Sequence, residues 1–138
     1  MGSFCDYLEK EVLDHIFGAG TRDFTSPTNI FVGLSSTDPT DDGSGITEVI
    51  SANNGYARIS TGNANWSPAS GAVGTIQNST ELSYAQANSD WGIQSFFFLS
   101  DQGSAGNYLG HGTLTNSKDI QQGDTAKYSV QAITVTLD

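Results

Sequence analysis

The chain carries a single cysteine, Cys5, in its 138 residues. One thiol cannot close an intrachain disulfide, so the fold does not depend on an oxidising compartment. Cys5 stands near the start of an expected helix and reads as a small buried thiol. A nucleophilic cysteine would want a histidine and a thiolate-favouring setting beside it. Basic residues are also scarce, five against fifteen acidic ones, for a net charge of −10. Lys10, Arg22, Arg58, Lys118 and Lys127 lie far apart. A phosphate backbone needs cations to neutralise it, so nucleic acid is not an expected partner. The longest apolar run, FFFL at 96–99, is far too short to cross a bilayer, and no membrane association is expected. The opening MGSFCDYLEKEV has neither the basic nor the apolar region of a signal peptide, which implies synthesis in the cytoplasm. The two glycosylation-like triplets, Asn65-Trp66-Ser67 and Asn78-Ser79-Thr80, then mean little.

Gly, Ser, Thr and Asn are plentiful instead, as in chains of strands and tight turns. A 10% aromatic share is too high for a solvated coil. Residues 3–17 read as the only helix, with Phe4, Leu8, Val12 and Ile16 at spacing four and Leu13 and Phe17 widening the stripe. Ser3 is placed to cap its first turn, with Asp6 three residues on. This helix has one oily and one acidic face, and the oily one must rest on its own sheet or on another subunit. The period then changes to two. NIFVGLS, GYARIST, ELSYAQA, WGIQSFFFLSD, NYLGHGTL and TAKYSVQAITVTLD read as strands. In WGIQSFFFLSD, Trp91, Ile93, Phe97 and Leu99 share one face and Phe96 and Phe98 the other, as in a strand covered on both sides. The expected fold is a single mainly β domain over 1–138, an antiparallel sandwich or barrel, jelly-roll-like being one form, with one N-terminal helix. The long connections 35–55 and 62–80 are expected to carry function or to be mobile.

No motif for chemistry stands out. The stretch LSSTDPTDDGSGITE, residues 34–48, is rich in carboxylates. Counted as an EF-hand from Asp38, it has Asp42 and Gly43 at positions five and six but Val49 at position twelve, where a bidentate carboxylate must stand. It reads as a turn. His15, His111 and Cys5 give no zinc spacing. Asp101 and His111 could meet across a hairpin, but no nucleophile elbow accompanies them. Phosphate-binding glycine loops are missing, and no pair of carboxylates is singled out for glycoside cleavage. Tyr56, Trp66, Tyr84, Trp91 and Tyr108 suit a core better than a sugar-binding surface. We expect no catalytic residue, no cofactor and no metal.

Taken in order, DYLEKEVLDHIFG, TNIFVGLSSTDPTDDGSGITE, GYARIS, WGIQSFFFLSD with GNYLGHGTL, and the closing AITVTLD resemble a family of small tailed-bacteriophage structural proteins, of the kind labelled tail-fibre-like. The resemblance covers nearly the whole chain. It implies a β-rich virion component without enzymatic activity. Tail fibres usually show repetitive or coiled-coil shafts, and none is present. The expectation is therefore a capsid decoration (cement) protein that binds the major capsid protein from outside and gains from many simultaneous contacts. The alternative is a tail, baseplate or fibre-associated protein engaged in host recognition, and a glycan-active enzyme stands third. A homo-oligomer is expected. Phe4, Leu8, Val12, Ile16, Phe96 and Phe98 are the expected core and oligomer contacts, and Asp38, Asp41 and Asp42 the expected surface carboxylates facing a partner.

Overall fold

The alternation at Ile30, Val32 and Leu34 becomes strand β2 (Ile30–Ser35), and the doubly apolar stretch becomes β6 (Gly92–Ser100). The computed structural model describes residues 2–18, 20, 23–50, 52–69 and 74–137. Within them the chain runs β1 (Gly2–Phe4), α1 (Asp6–Phe17), β2, β3 (Ile59–Thr61), a 3-10 turn (Asn63–Asn65), β4 (Thr75–Gln77), β5 (Leu82–Ser83), β6, β7 (Tyr108–Ile120), β8 (Lys127–Tyr128) and β9 (Thr134–Thr136). The fold is thus mainly β with one helix near the N-terminus. Seven strands form one sheet in the order β3-β2-β6-β7-β1-β9-β4, and β5 pairs with β8 apart from it. All these pairings are antiparallel except β1 with β9.

The core joins the two layers. Val32, Leu34, Phe97, Leu99 and Leu109 of the large sheet meet Leu82 and Tyr128 of the small ladder and Tyr84 just beyond it. Tyr56 and Tyr84 stack at 5.8 Å, and Trp91 sets its edge against both. Their polar tips are satisfied, as buried Tyr and Trp require. Tyr84 Oη donates to Val32 O at 3.1 Å, Trp91 Nε1 to Asn54 O at 2.9 Å, and Tyr56 Oη to Glu48 Oε1 at 2.8 Å. The opposite face of β6 is covered from within the chain. Phe98 is 1% exposed, and its ring lies over Gly33 on the paired strand. Any Cβ on Gly33 would overlap that ring, so glycine is required there by close approach.

Several boundaries differ from the sequence reading. The helix begins at Asp6 and not at residue 3, because Gly2–Phe4 pair with β7 and lie beside β9. Ser3 therefore does not cap it. The N-cap is Cys5, which makes no side-chain cap bond. Its thiol instead donates to Tyr108 O at 2.6 Å, and burial pushes its pKa up. The strand expected across GYARIST is only Ile59–Thr61 long, and that across ELSYAQA only Leu82–Ser83. The last segment is broken between Tyr128 and Thr134 by a turn in which Gln131 takes a left-handed φ of 65°. Ile93, expected inward, is 60% exposed. It lies beyond the part of β6 paired with β2, where the β7 ladder also slips between Gln94 and Phe96.

Candidate functional site

The carboxylate-rich stretch after β2 folds on itself. Asp38 Oδ1 accepts from Thr40 N at 3.1 Å, while Asp42 Oδ1 accepts from Thr40 Oγ1 at 2.7 Å and from Ser44 N at 3.0 Å. These bonds hold Thr40 at a φ of 61°, a conformation costly for a β-branched residue. Tyr108 Oη donates to Thr40 O at 3.0 Å, and the Asp41 carbonyl accepts from Asp6 N at the start of α1. Asp38 and Asp42 are thus spent on shaping a turn. Among the described residues no group of three His, Cys, Asp or Glu is placed to hold a metal ion.

The Thr40 hydroxyl and the Ser44 amide hold the Asp42 carboxyl down to about 2. A folded-state pKa below the unfolded value of about 4 means stability present above that pH and lost as pH falls through the folded value. The stability gap between the wild type and Asp42→Ala is therefore expected to be constant at neutral pH and to narrow from about pH 4 down to about 2. Urea titrations at several pH values would read it. An unchanged gap at the acid end would show that the carboxylate bonds are not what matters.

A second constellation locks the far end of this loop. Arg58, just before β3, grips Glu48 with two bonds, Nε to Oε1 and Nη2 to Oε2, both 2.8 Å. Its Nη1 donates to Gln102 O and Ala105 O, each at 2.9 Å, and to Ser100 Oγ at 3.1 Å. The guanidinium carbon stands 4.9 Å from the Phe98 ring centroid, a cation–π contact. One side chain thus ties the acidic loop, the β3 strand and the 101–107 turn together over the second face of β6. The Glu48 hydrogen bonds raise the Arg58 pKa further.

The third feature is apolar. Phe4 and Leu8 of the N-terminal segment, Leu99 and Leu109 of the sheet, Val135 of β9 and Trp66 line a cleft of about 520 Å³. The helix stands over one side of it and is only partly seated, since none of its residues is buried. Leu8 and Val12 are half-covered, whereas Leu13, Ile16 and Phe17 are 55%, 63% and 74% exposed. The oily stripe therefore continues onto exposed surface. A more polar groove of about 510 Å³ lies between β7 and residues 124–132, with Tyr84, Phe97 and Tyr128 among its lining.

The structure separates the residues singled out in the sequence. Phe4 and Leu8 pack against the core and line the cleft, Val12 is half-buried, and Ile16 is exposed. Phe96 is half-buried and Phe98 fully covered by its own chain. Asp38, Asp41 and Asp42 are exposed. Asp101 does not meet His111. It accepts from Asn107 N and Nδ2, both at 2.7 Å, and closes the β6–β7 turn. His111 Nε2 lies instead 3.8 Å from Asp38 Oδ1. The Arg58 centre was not signalled in the sequence, because its partners are 10 to 47 residues away.

The chain matches over residues 3–136 the protein family described as Podophage GP4 fiber I protein gp80. No curated protein matches it. A match over nearly the whole length means that the chain belongs to this family, and hence to the structural proteins of the phage virion.

Proposed function

We propose that this member of a phage fibre family is a fibre-associated component of the tail, working by holding other virion proteins and not by catalysis. The observation that carries the reading is the family match over residues 3–136. It favours the fibre role over capsid decoration. A sequence without a shaft points to capsid decoration, yet the matched region is itself this compact β domain. The lack of a shaft therefore no longer counts against a fibre role. A non-catalytic role is supported by what the polar side chains do. Asp42, Glu48 and Asp101 are each engaged in internal bonds that shape turns. The half-seated helix and apolar cleft offer a surface for attachment.

The test is position in the particle. Gold-labelled antibody against the purified chain should mark the tail, and quantitative protein analysis of virions should give a copy number in small multiples of three or six. Label spread over the shell with hundreds of copies would restore capsid decoration and sink the fibre reading.

A further inference from the structure

The exposed end of α1 is an apolar ridge with carboxylates beside it, of which Glu9 makes no ion pair among the described residues. Leu13, Ile16 and Phe17 lie on adjoining surface rows of the helix. Ile16 stands about 12 Å along the axis from Leu8, at 1.5 Å per residue, and Leu8 lines the cleft. Half-buried Val12 bridges Leu8 and Ile16 along one i, i+4 row, so the ridge adjoins the cleft. The helix carries four carboxylates, Asp6, Glu9, Glu11 and Asp14, against one ammonium, Lys10, a net −3 with His15 neutral. Lys10 is already taken by Glu11 at 3.3 Å and Asp14 at 3.0 Å. Asp6 and Glu9 are exposed and make no ion pair among the described residues. Glu9 is four residues before Leu13, and Asp14 three before Phe17, so carboxylates stand beside the ridge.

We infer that this ridge and cleft dock a segment of another virion protein whose apolar side chains are flanked by Lys or Arg. The inference deepens the fibre reading by naming the surface and the chemistry of the partner. Burial of three large exposed side chains supplies the attraction. The charges choose the partner. Two copies meeting by this face would bring −3 against −3 within about a Debye length, ~8 Å at physiological salt. A cationic flank instead neutralises Asp6 and Glu9 and steers the encounter. A second copy is thus the disfavoured occupant, and the homo-oligomer expected from the sequence is not formed through this face.

The probes are three synthetic helical peptides, one with a leucine stripe flanked by lysines, one with the same stripe flanked by glutamates, and one with the lysine composition scrambled. Binding to the full chain is read by titration calorimetry. The lysine-flanked stripe should bind. Its affinity should fall at least tenfold in L13S/I16S/F17S, several-fold in E9K, and on raising salt. The other two peptides should bind at least tenfold more weakly. The triple variant removes exposed groups only, and its circular dichroism and melting curve check that it folds. Equal binding by the scrambled peptide, or by the triple variant, would reduce the effect to general charge attraction and overturn the inference. No binding by the lysine-flanked stripe would overturn it too. So would a concentration-dependent dimer in sedimentation that the triple variant abolishes, because the occupant would then be a second copy. Tail labelling and peptide binding are separate readouts, so failure of the fibre reading and failure of the docking surface are told apart.

Discussion

Exchanging Asn78 for leucine is expected to cost about 3–5 kcal/mol of folding free energy. Asn78 is fully buried between β4 and the loop before β9. Its Nδ2 donates to Thr80 O and Ser129 O, both at 2.8 Å, and its Oδ1 accepts from Ile133 N at 2.8 Å. Its backbone donates to Ile133 O at 3.2 Å and accepts from Gln131 N at 2.8 Å. Leucine has the same number of heavy atoms, so no cavity opens, and the extra bulk of its two methyl groups adds strain to the polar loss at this fully buried position. Thr80 and Ser129 are exposed, and their carbonyls can turn to water. Ile133 is 1% exposed, and its amide cannot. That stranded donor dominates the cost. The melting temperature should drop by about 10–15 °C, the shift such a loss produces in a domain of this size. Urea denaturation measures it directly, and a loss below about 1 kcal/mol would mean that the segment relaxes and re-pairs. Asn78→Asp is the informative companion. It keeps the acceptor for Ile133 N, but burial disfavours its charge. Its deficit relative to the wild type should therefore shrink as pH falls and the carboxyl protonates.

The same asparagine shows where sequence reading ends. As part of Asn78-Ser79-Thr80 it reads as a chance sequon. Nothing local says that its amide serves Ser129 and Ile133, 51 and 55 residues on. What was legible is what local periodicity governs. β2 follows from its alternation and β6 from its continuous apolar run at 96–99, the pattern of a strand covered on both faces over that part. The helix was legible from its stripe, while its start was not. Ser3 has good capping chemistry, but pairing of Gly2–Phe4 with Gly110–Gly112 takes the segment into the sheet, and tertiary pairing outranks a local cap. β7 continues to Ile120 through TNSKD, a polar run without alternation. Its pairing with Gly92–Gln94 sustains it, a contact invisible in its own residues. Of the candidate site, the apolar stripe was readable as a surface in need of cover, since the alternatives of own sheet and foreign partner both follow from it. The structure divides them along the helix, seating Leu8 and leaving Phe17 out.

Arg58 tests whether the far end of the acidic loop is held by charge alone or by geometry. Replacement by methionine is expected to cost about 2–4 kcal/mol, as for breaking a mostly buried ion pair and leaving its partners unpaired. The Arg58 side chain is 9% exposed and that of Glu48 26%, so screening by solvent is slight. Arg58→Lys is the sharper variant. Lysine retains the charge but lacks the planar fork that takes both Glu48 oxygens and the Gln102 and Ala105 carbonyls at once. It is expected to lose about 2 kcal/mol even so. Glu48→Gln alone should be milder, because an amide oxygen still accepts from Tyr56 Oη. Combined with Arg58→Met, its cost should fall short of the sum by at least about 1 kcal/mol, the coupling of residues within one network. If Arg58→Lys were as stable as the wild type, charge and the stacking on Phe98 would suffice, and the fork would be incidental. If the double variant were additive, the Glu48 bonds would carry no net stability. In either outcome of the coupling measurement, hydrogen exchange at residues 36–48 and 101–107 locates the loss. The network predicts that both stretches open together, because one guanidinium closes them both.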